Sequence, residues 1–179
     1  MTDAADTPAT AAAPPDAPAA VDTARFRQVL GHFATGVAVI SGIDTADKAP
    51  IGLTVQSLTS LSLDPPLVSF AVGRSSSTWP RLRDAGSFTA NILAESQEAM
   101  CRTFATSGAD KFEGVGWTAG PATGAPVLSD VLGWVECRIE AEHDAGDHIL
   151  VIGRVVDLGV GTEGKPLLFY RGGFGRFEA

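Results

Sequence analysis

Little in this chain is basic, sulfur-bearing or long and apolar, and each shortage closes off a class of function. Lysine and arginine number 13 against 21 aspartates and glutamates, a formal net charge of −8. So acidic a chain offers no basic footprint to a nucleic-acid backbone. No apolar run approaches the ~20 residues that cross a bilayer as a helix. The 2 cysteines, Cys101 and Cys137, lie far apart and make no disulfide framework. They read as reduced and buried, which fits a cytoplasmic location. The 3 histidines, His32, His143 and His148, show no zinc spacing with those cysteines. The P-loop pattern and the Gly-x-Ser-x-Gly nucleophile elbow are both missing. Metal chemistry and hydrolysis therefore have no support.

What the chain does have is apolar mass. Hydrophobic residues make up 45% and charged residues 19%, enough for one globular domain with a core of its own. Residues 1–24 stand apart. They are Ala, Pro, Thr and Asp, with Met1 and Val21 as the exceptions. Such a segment cannot bury enough apolar surface to offset its ordering entropy. It lacks the charged and apolar regions of a secretory signal and the arginines of a transit peptide. It reads as a disordered acidic tail, and residues 25–179 as the folded domain.

Asp22 or Thr23 can cap a first helix, in which Phe26, Val29, Leu30 and Phe33 recur at three- and four-residue spacing and which Gly36 ends. Val37 to Ser41 reads as a buried strand, and residues 44–48 as a hairpin loop. Gly73-Arg74-Ser75-Ser76-Ser77-Thr78-Trp79-Pro80 is a loop entering a helix that ends at Gly86. Its three serines, Arg74 and the helix start offer donors and positive charge to a phosphate. A strand over 88–93 follows, then a third helix capped by Ser96, with Cys101 and Phe104 inward. A Gly-rich connection spans 107–129. Long strands over 132–139 and 149–158 and a last strand over 167–170 complete the series. There is no regular βαβ alternation, which argues against a doubly wound sheet. The expected fold is mainly β, an antiparallel barrel with helices packed outside.

Residues 52–66 carry the densest signal. In Gly52-Leu53-Thr54-Val55-Gln56-Ser57-Leu58-Thr59-Ser60-Leu61-Ser62-Leu63, hydroxyls and an amide interleave with Leu and Val. That is a strand with one apolar and one hydrogen-bonding face. The parity slips at Leu58 and returns at Leu61, which predicts bulges and freed backbone N–H groups. Neutral hydroxyls, an amide and free N–H groups suit a flat heterocycle with a phosphate tail.

Gly-x-Thr-x-x-Ser followed by Ser-Leu-Ser-Leu-Asp-Pro-Pro-Leu-Val resembles the signature of the flavin reductase-like family, the FMN-binding split barrels. Phe33-Ala34-Thr35-Gly36-Val37, Asn91-Ile92-Leu93, Asp110-Lys111-Phe112, Gly146-Asp147-His148 and Pro166-Leu167-Leu168-Phe169-Tyr170-Arg171-Gly172 fit in the same order. The match runs from about Phe26 to the C-terminus. The resemblance implies an NAD(P)H:flavin oxidoreductase that reduces FMN or FAD with NADH or NADPH. It would supply reduced flavin to a partner monooxygenase and work as a homodimer. Two other readings stand beside it: an FMN-binding protein without turnover, and an enzyme like pyridoxamine-phosphate oxidase.

The same resemblance implies the site. Thr54, Val55, Gln56, Ser57, Ser60 and Ser62 would meet the flavin ring, with Asn91 and Phe112 beside it. Ser75, Ser77 and Lys111 would hold its phosphate. Asp147, His148, Tyr170, Arg171 and Phe174 would meet the nicotinamide or cover the ring. No catalytic acid, base or nucleophile is assigned, because the cofactors carry hydride transfer. Gly159-Val160-Gly161-Thr162-Glu163-Gly164 matches Gly-x-Gly-x-x-Gly literally, but Lys165-Pro166 and a strand follow it. A dinucleotide fingerprint needs a helix to start there, so this is expected to be a hairpin loop.

Overall fold

The computed structural model describes residues 21–108 and 110–178. The tail expected over 1–24 falls outside this set up to residue 20. Asp22 caps helix α1 (Thr23–Leu30), its carboxylate accepting from the N–H groups of Ala24 and Arg25. Helix α1 thus begins ahead of residue 25 and stops at Gly31 rather than Gly36. Strands β1 (Thr35–Gly36), β2 (Ala38–Ile43), β3 (Pro50–Val55), β4 (Thr59–Leu63) and β5 (Pro66–Gly73) follow. Helix α2 (Trp79–Ala85) ends where Gly86 turns left-handed, at φ 71°. Then come β6 (Ser87–Ile92), a 3-10 turn over 95–97 and helix α3 (Glu98–Ala105). The turn is capped by the Gln97 side chain, which accepts from the Ala94 N–H, and not by Ser96.

The connection over 107–129 is not structureless. It contains the hairpin of β7 (Trp117–Ala119) and β8 (Pro126–Leu128). Strands β9 (Gly133–Ala145) and β10 (His148–Val160) are longer than their apolar runs suggest, at 13 residues each. The chain closes with β11 (Leu168–Tyr170) and β12 (Gly173–Gly175).

Seven strands form one antiparallel sheet in the order β3-β2-β6-β9-β10-β5-β4. A small sheet, β1-β11-β12, lies beside it. The single bulged strand expected over residues 52–63 is in fact two strands, β3 and β4. The chain leaves one edge of the sheet at Val55 and rejoins it at the far edge at Thr59. The parity slip at Leu58 marks that crossing. A true register shift occurs only between Ser60 and Ser62.

The sheet curls. Ala38 and Ile40 of β2, Leu53 and Val55 of β3, Phe70 and Val72 of β5, Phe88 of β6 and Val151 of β10 meet in one core. Phe70 stacks edge-on against both Trp79 and Phe88. Strands β3 and β5 touch without sharing a ladder, which leaves a seam between them. A second core under α3 holds Val39, Leu93, Cys101, Phe104, Phe112 and Leu128. Both cysteines are buried free thiols, and burial pushes Cys137 up to about 12.

The Gly-x-Gly-x-x-Gly run has a packing explanation. It joins β10 to β11 in a different sheet, so it is a crossover and not a hairpin. A Cβ on Gly159 would lie 2.7 Å from the Trp134 ring, and one on Gly161 would collide with the Val131 carbonyl oxygen. Gly161→Ala should therefore cost about 1–3 kcal/mol of stability through forced backbone movement. Urea unfolding checks this; an unchanged midpoint would show that the backbone yields freely there.

Candidate active site

One cavity of about 1270 Å³ opens beside the seam. That exceeds the ~300–1,000 Å³ of most single-ligand pockets. Its walls are the end of β3, the crossing over 56–58, the loop over 75–78, α1, the start of β10 and the turn after β11. Arg27, Lys111, Arg171 and His148 line it, and among the described residues no aspartate or glutamate does.

The crossing supplies Thr54, Val55, Gln56 and Ser57, all on the wall. Two of the hydroxyls are already committed. Thr54 donates to the Cys101 carbonyl at 2.9 Å. Ser57 donates to the Ala71 carbonyl and accepts from its N–H at 2.9 Å, stitching the crossing to β5. What this wall presents is the Gln56 amide, which is exposed, and the outer backbone edge of β3. A strand edge carries unpaired N–H and C=O groups.

Ser75 and Ser77 line the cavity with Ser76 and Thr78. Ser76 is the residue that caps the chain entering α2, accepting from the Trp79 N–H. Arg74 does not join them. Its guanidinium turns to the Gly146 carbonyl at 2.9 Å and to Asp144 at 2.7 Å, and its N–H donates to the Asp147 carbonyl. Arg74 thereby ties the β9–β10 turn to the loop after β5.

That tie places His148, which pairs in register with Gly73. The imidazole Nδ1 lies 2.7 Å from Asp147 Oδ1. Its Nε2 is close to the space a Gly73 side chain would fill, as is Ser75 Oγ. Lys111 also reaches the wall. Its ammonium donates to the carbonyls of Gly52 and Phe104, both at 3.0 Å, and burial lowers its pKa. An ammonium has three N–H groups, so one remains for a ligand.

Several expected residues lie off the wall. Asn91 is fully buried; its amide donates to Val39 and Ser41, and its oxygen accepts from the Leu128 N–H. It anchors the β7–β8 hairpin to the sheet and meets no cavity. Phe112 packs edge-on against Phe104 in the second core. Ser60 and Ser62 sit on the edge strand β4, where Thr59 alone lines the cavity. Tyr170 and Phe174 flank the turn that carries Arg171 but stay off the wall; Phe174 packs on Phe169 and under Arg102. Asp147 is off the wall, with its carboxylate against His148. Arg27, Leu30 and Phe33 were not anticipated. α1 reads as a helix packed on the body, and nothing local in the sequence says that it walls a cavity.

The His148 imidazole, through its hydrogen bond and charge, holds the Asp147 carboxyl below its usual 3.8. A depressed carboxyl contributes its pairing above the unfolded pKa and loses it as pH falls through the folded one. Carboxyl-carbon NMR should show Asp147 titrating below 3.8, and His148→Ala should bring it back up. A value that the substitution leaves unmoved would mean the pair is not formed.

Residues 30–178 match the flavin reductase like domain. The reductase subunit of a flavin-dependent monooxygenase from Rhodococcus jostii is 44% identical over 89% of this chain and 80% of its own length. A flavin reductase from Pseudomonas putida is 42% identical over 89% of this chain and 93% of its own. The Streptomyces globisporus NADH:FAD oxidoreductase, solved with NAD and FAD fragments, superimposes with a TM-score of 0.81. It is 34% identical and covers 88% of this chain and 93% of that one. With its curled antiparallel sheet, outer helices and cation-lined cavity at the seam, the chain belongs to the flavin reductase-like family.

Proposed function

We propose that this chain reduces free FMN or FAD with NADH and passes the reduced flavin to a separate flavin-dependent monooxygenase. The observation that carries this reading is the cavity's charge. Although the chain carries a net charge of −8, no carboxylate among the described residues lines a wall that holds two arginines, a lysine and a histidine. Such a surface suits ligands with phosphate groups. The curled sheet with its open seam is what we take as the split-barrel form, and two buried free thiols suit a cytoplasmic setting.

The donor set fits a flavin. Backbone groups on the β3 edge and the Gln56 amide suit the carbonyls and ring nitrogens of a planar heterocycle. Ser75, Ser77 and the remaining N–H of Lys111 suit a phosphate. Bound flavin would supply the hydride acceptor and nicotinamide the donor, so the protein's task is orientation. Asp147 fixes the His148 ring so that Nε2 serves as the contact for the nicotinamide side. We take the flavin as a substrate that enters and leaves this open cavity. Purified protein should then consume NADH only when free flavin is added. Loss of nicotinamide absorbance is the measurement, and tight flavin binding without that loss would leave a carrier in place of an enzyme.

We infer further that two copies assemble into a symmetric dimer across α1. No residue of α1 is buried. Phe26, Val29, Leu30 and Phe33 are 57, 59, 52 and 74% exposed. An eight-residue helix with no core contact is marginal alone. Phe26, Leu30 and Phe33 also line the cavity mouth, so a second copy over α1 would complete the site. Light scattering should give twice the 18.5 kDa chain mass, and Phe33→Asp should lower it. A fully active monomer at micromolar concentration would rule this out.

A further inference from the structure

Arg27 has no task in the account above, Arg171 has only the general expectation that it meets the nicotinamide or covers the ring, and the placement of both is unusual. Arg27 sits on α1, and Arg171 on the turn between β11 and β12. The Arg171 N–H donates to the Gly31 carbonyl at 2.9 Å, and the Gly31 N–H donates to the Arg27 carbonyl at 2.9 Å. The end of α1 and the turn are thus one unit, and both arginines line the cavity from it. Among the described residues, neither guanidinium has a carboxylate within 4.0 Å.

The turn itself points to use. Tyr170 pairs with Gly173, so Arg171 and Gly172 form a two-residue hairpin loop. Both have positive φ, 49° and 83°. This is the geometry in which Asn, Asp or Gly is preferred at the first position. A long cation held in left-handed backbone is the kind of outlier that functional sites retain.

We propose that Arg27 and Arg171 clamp the diphosphate of the dinucleotide hydride donor. This rests on reading the cavity as a site for flavin and nicotinamide together. Guanidinium forks grip phosphate oxygens in pairs, and two forks match two linked phosphates. Arg27, Arg171 and His148 line the same cavity. A donor whose nicotinamide end meets His148 would then carry its diphosphate to the arginines. Lys111, held on Gly52 and Phe104, belongs to a different wall and is left for the flavin phosphate.

The test compares NADH with 1-benzyl-1,4-dihydronicotinamide, which keeps the dihydropyridine carboxamide and lacks every phosphate. The readout is the ratio of kcat/KM for the two donors, in which any loss of folded protein cancels. Loss of charge-assisted hydrogen bonds should lower that ratio about tenfold to a hundredfold in Arg27→Gln and in Arg171→Gln. Arg27→Lys keeps the charge without the fork and should fall between. The double variant should also lose most of the salt dependence of the NADH reaction. A ratio equal to that of the unaltered protein overturns the clamp. So does weakened FMN binding with the ratio preserved, which would assign the arginines to the flavin phosphate. If the unaltered protein reduces flavin with neither donor, the reductase reading itself fails, a result distinct from a preserved ratio in active protein.

Discussion

The contact between Phe88 and Gly153 sets the shape of this molecule. A Cβ on Gly153 would lie 2.5 Å from the tip of the Phe88 ring, so the ring occupies the space of a missing side chain. Phe88 is fully buried and stacks on Phe70, which stacks on Trp79. This aromatic row draws β6, β10 and β5 around a common centre. Interiors pack near crystal density, so a sheet wrapped on such a row cannot flatten without opening voids. The curl then brings the two edge strands, β3 and β4, to the same side as the loop before α2. The cavity is a consequence of that curl.

Polar burial secures the opposite face. Asn91 and Ser41 form a satisfied network against the β7–β8 hairpin, with Ser41 donating to the Pro126 carbonyl. Fully buried Glu136 accepts from the N–H groups of Ala122 and Thr123 and from the Thr123 hydroxyl. Buried polar groups left without partners are costly, and these have them. The hairpin is thus pinned to the sheet, α3 is packed beside it, and Lys111 is delivered to the cavity from behind.

The distribution of charge follows from the same architecture. Among the described residues several carboxylates pair on the surface, as Glu140 with Arg154 and Glu98 with Arg102. The cavity wall is built from a strand crossing, a serine loop and a helix end, none of which carries a carboxylate side chain into it. An acidic protein thereby keeps a locally positive interior for anionic ligands. The β9–β10 turn matters here because Arg74 binds it twice, which fixes where His148 stands.

Local patterning by itself determined strands β2, β5, β6, β9, β10 and β11 within a few residues, the helix entered through Pro80, its Gly86 stop and the buried cysteines. These follow from period, capping and chain neighbours, which act over a few residues. The motifs also pointed to family membership and to the segments that form the wall. Their individual side chains were less legible. Asn91 and Phe112 sit in signature segments, yet tertiary packing turns them into a structural network and a core. Thr54 and Ser57 present hydroxyls in the sequence, and the fold commits both to carbonyls 47 and 14 residues away. The break at Leu58 resembled a bulge because period cannot distinguish a slip within one strand from a jump between two sheet edges. Only the closed curl decided that, just as only the bond from Arg171 to Gly31 brought Arg27 to the cavity. Which face of a helix or strand meets a ligand is set by long-range contacts, and those are absent from any window of neighbouring residues.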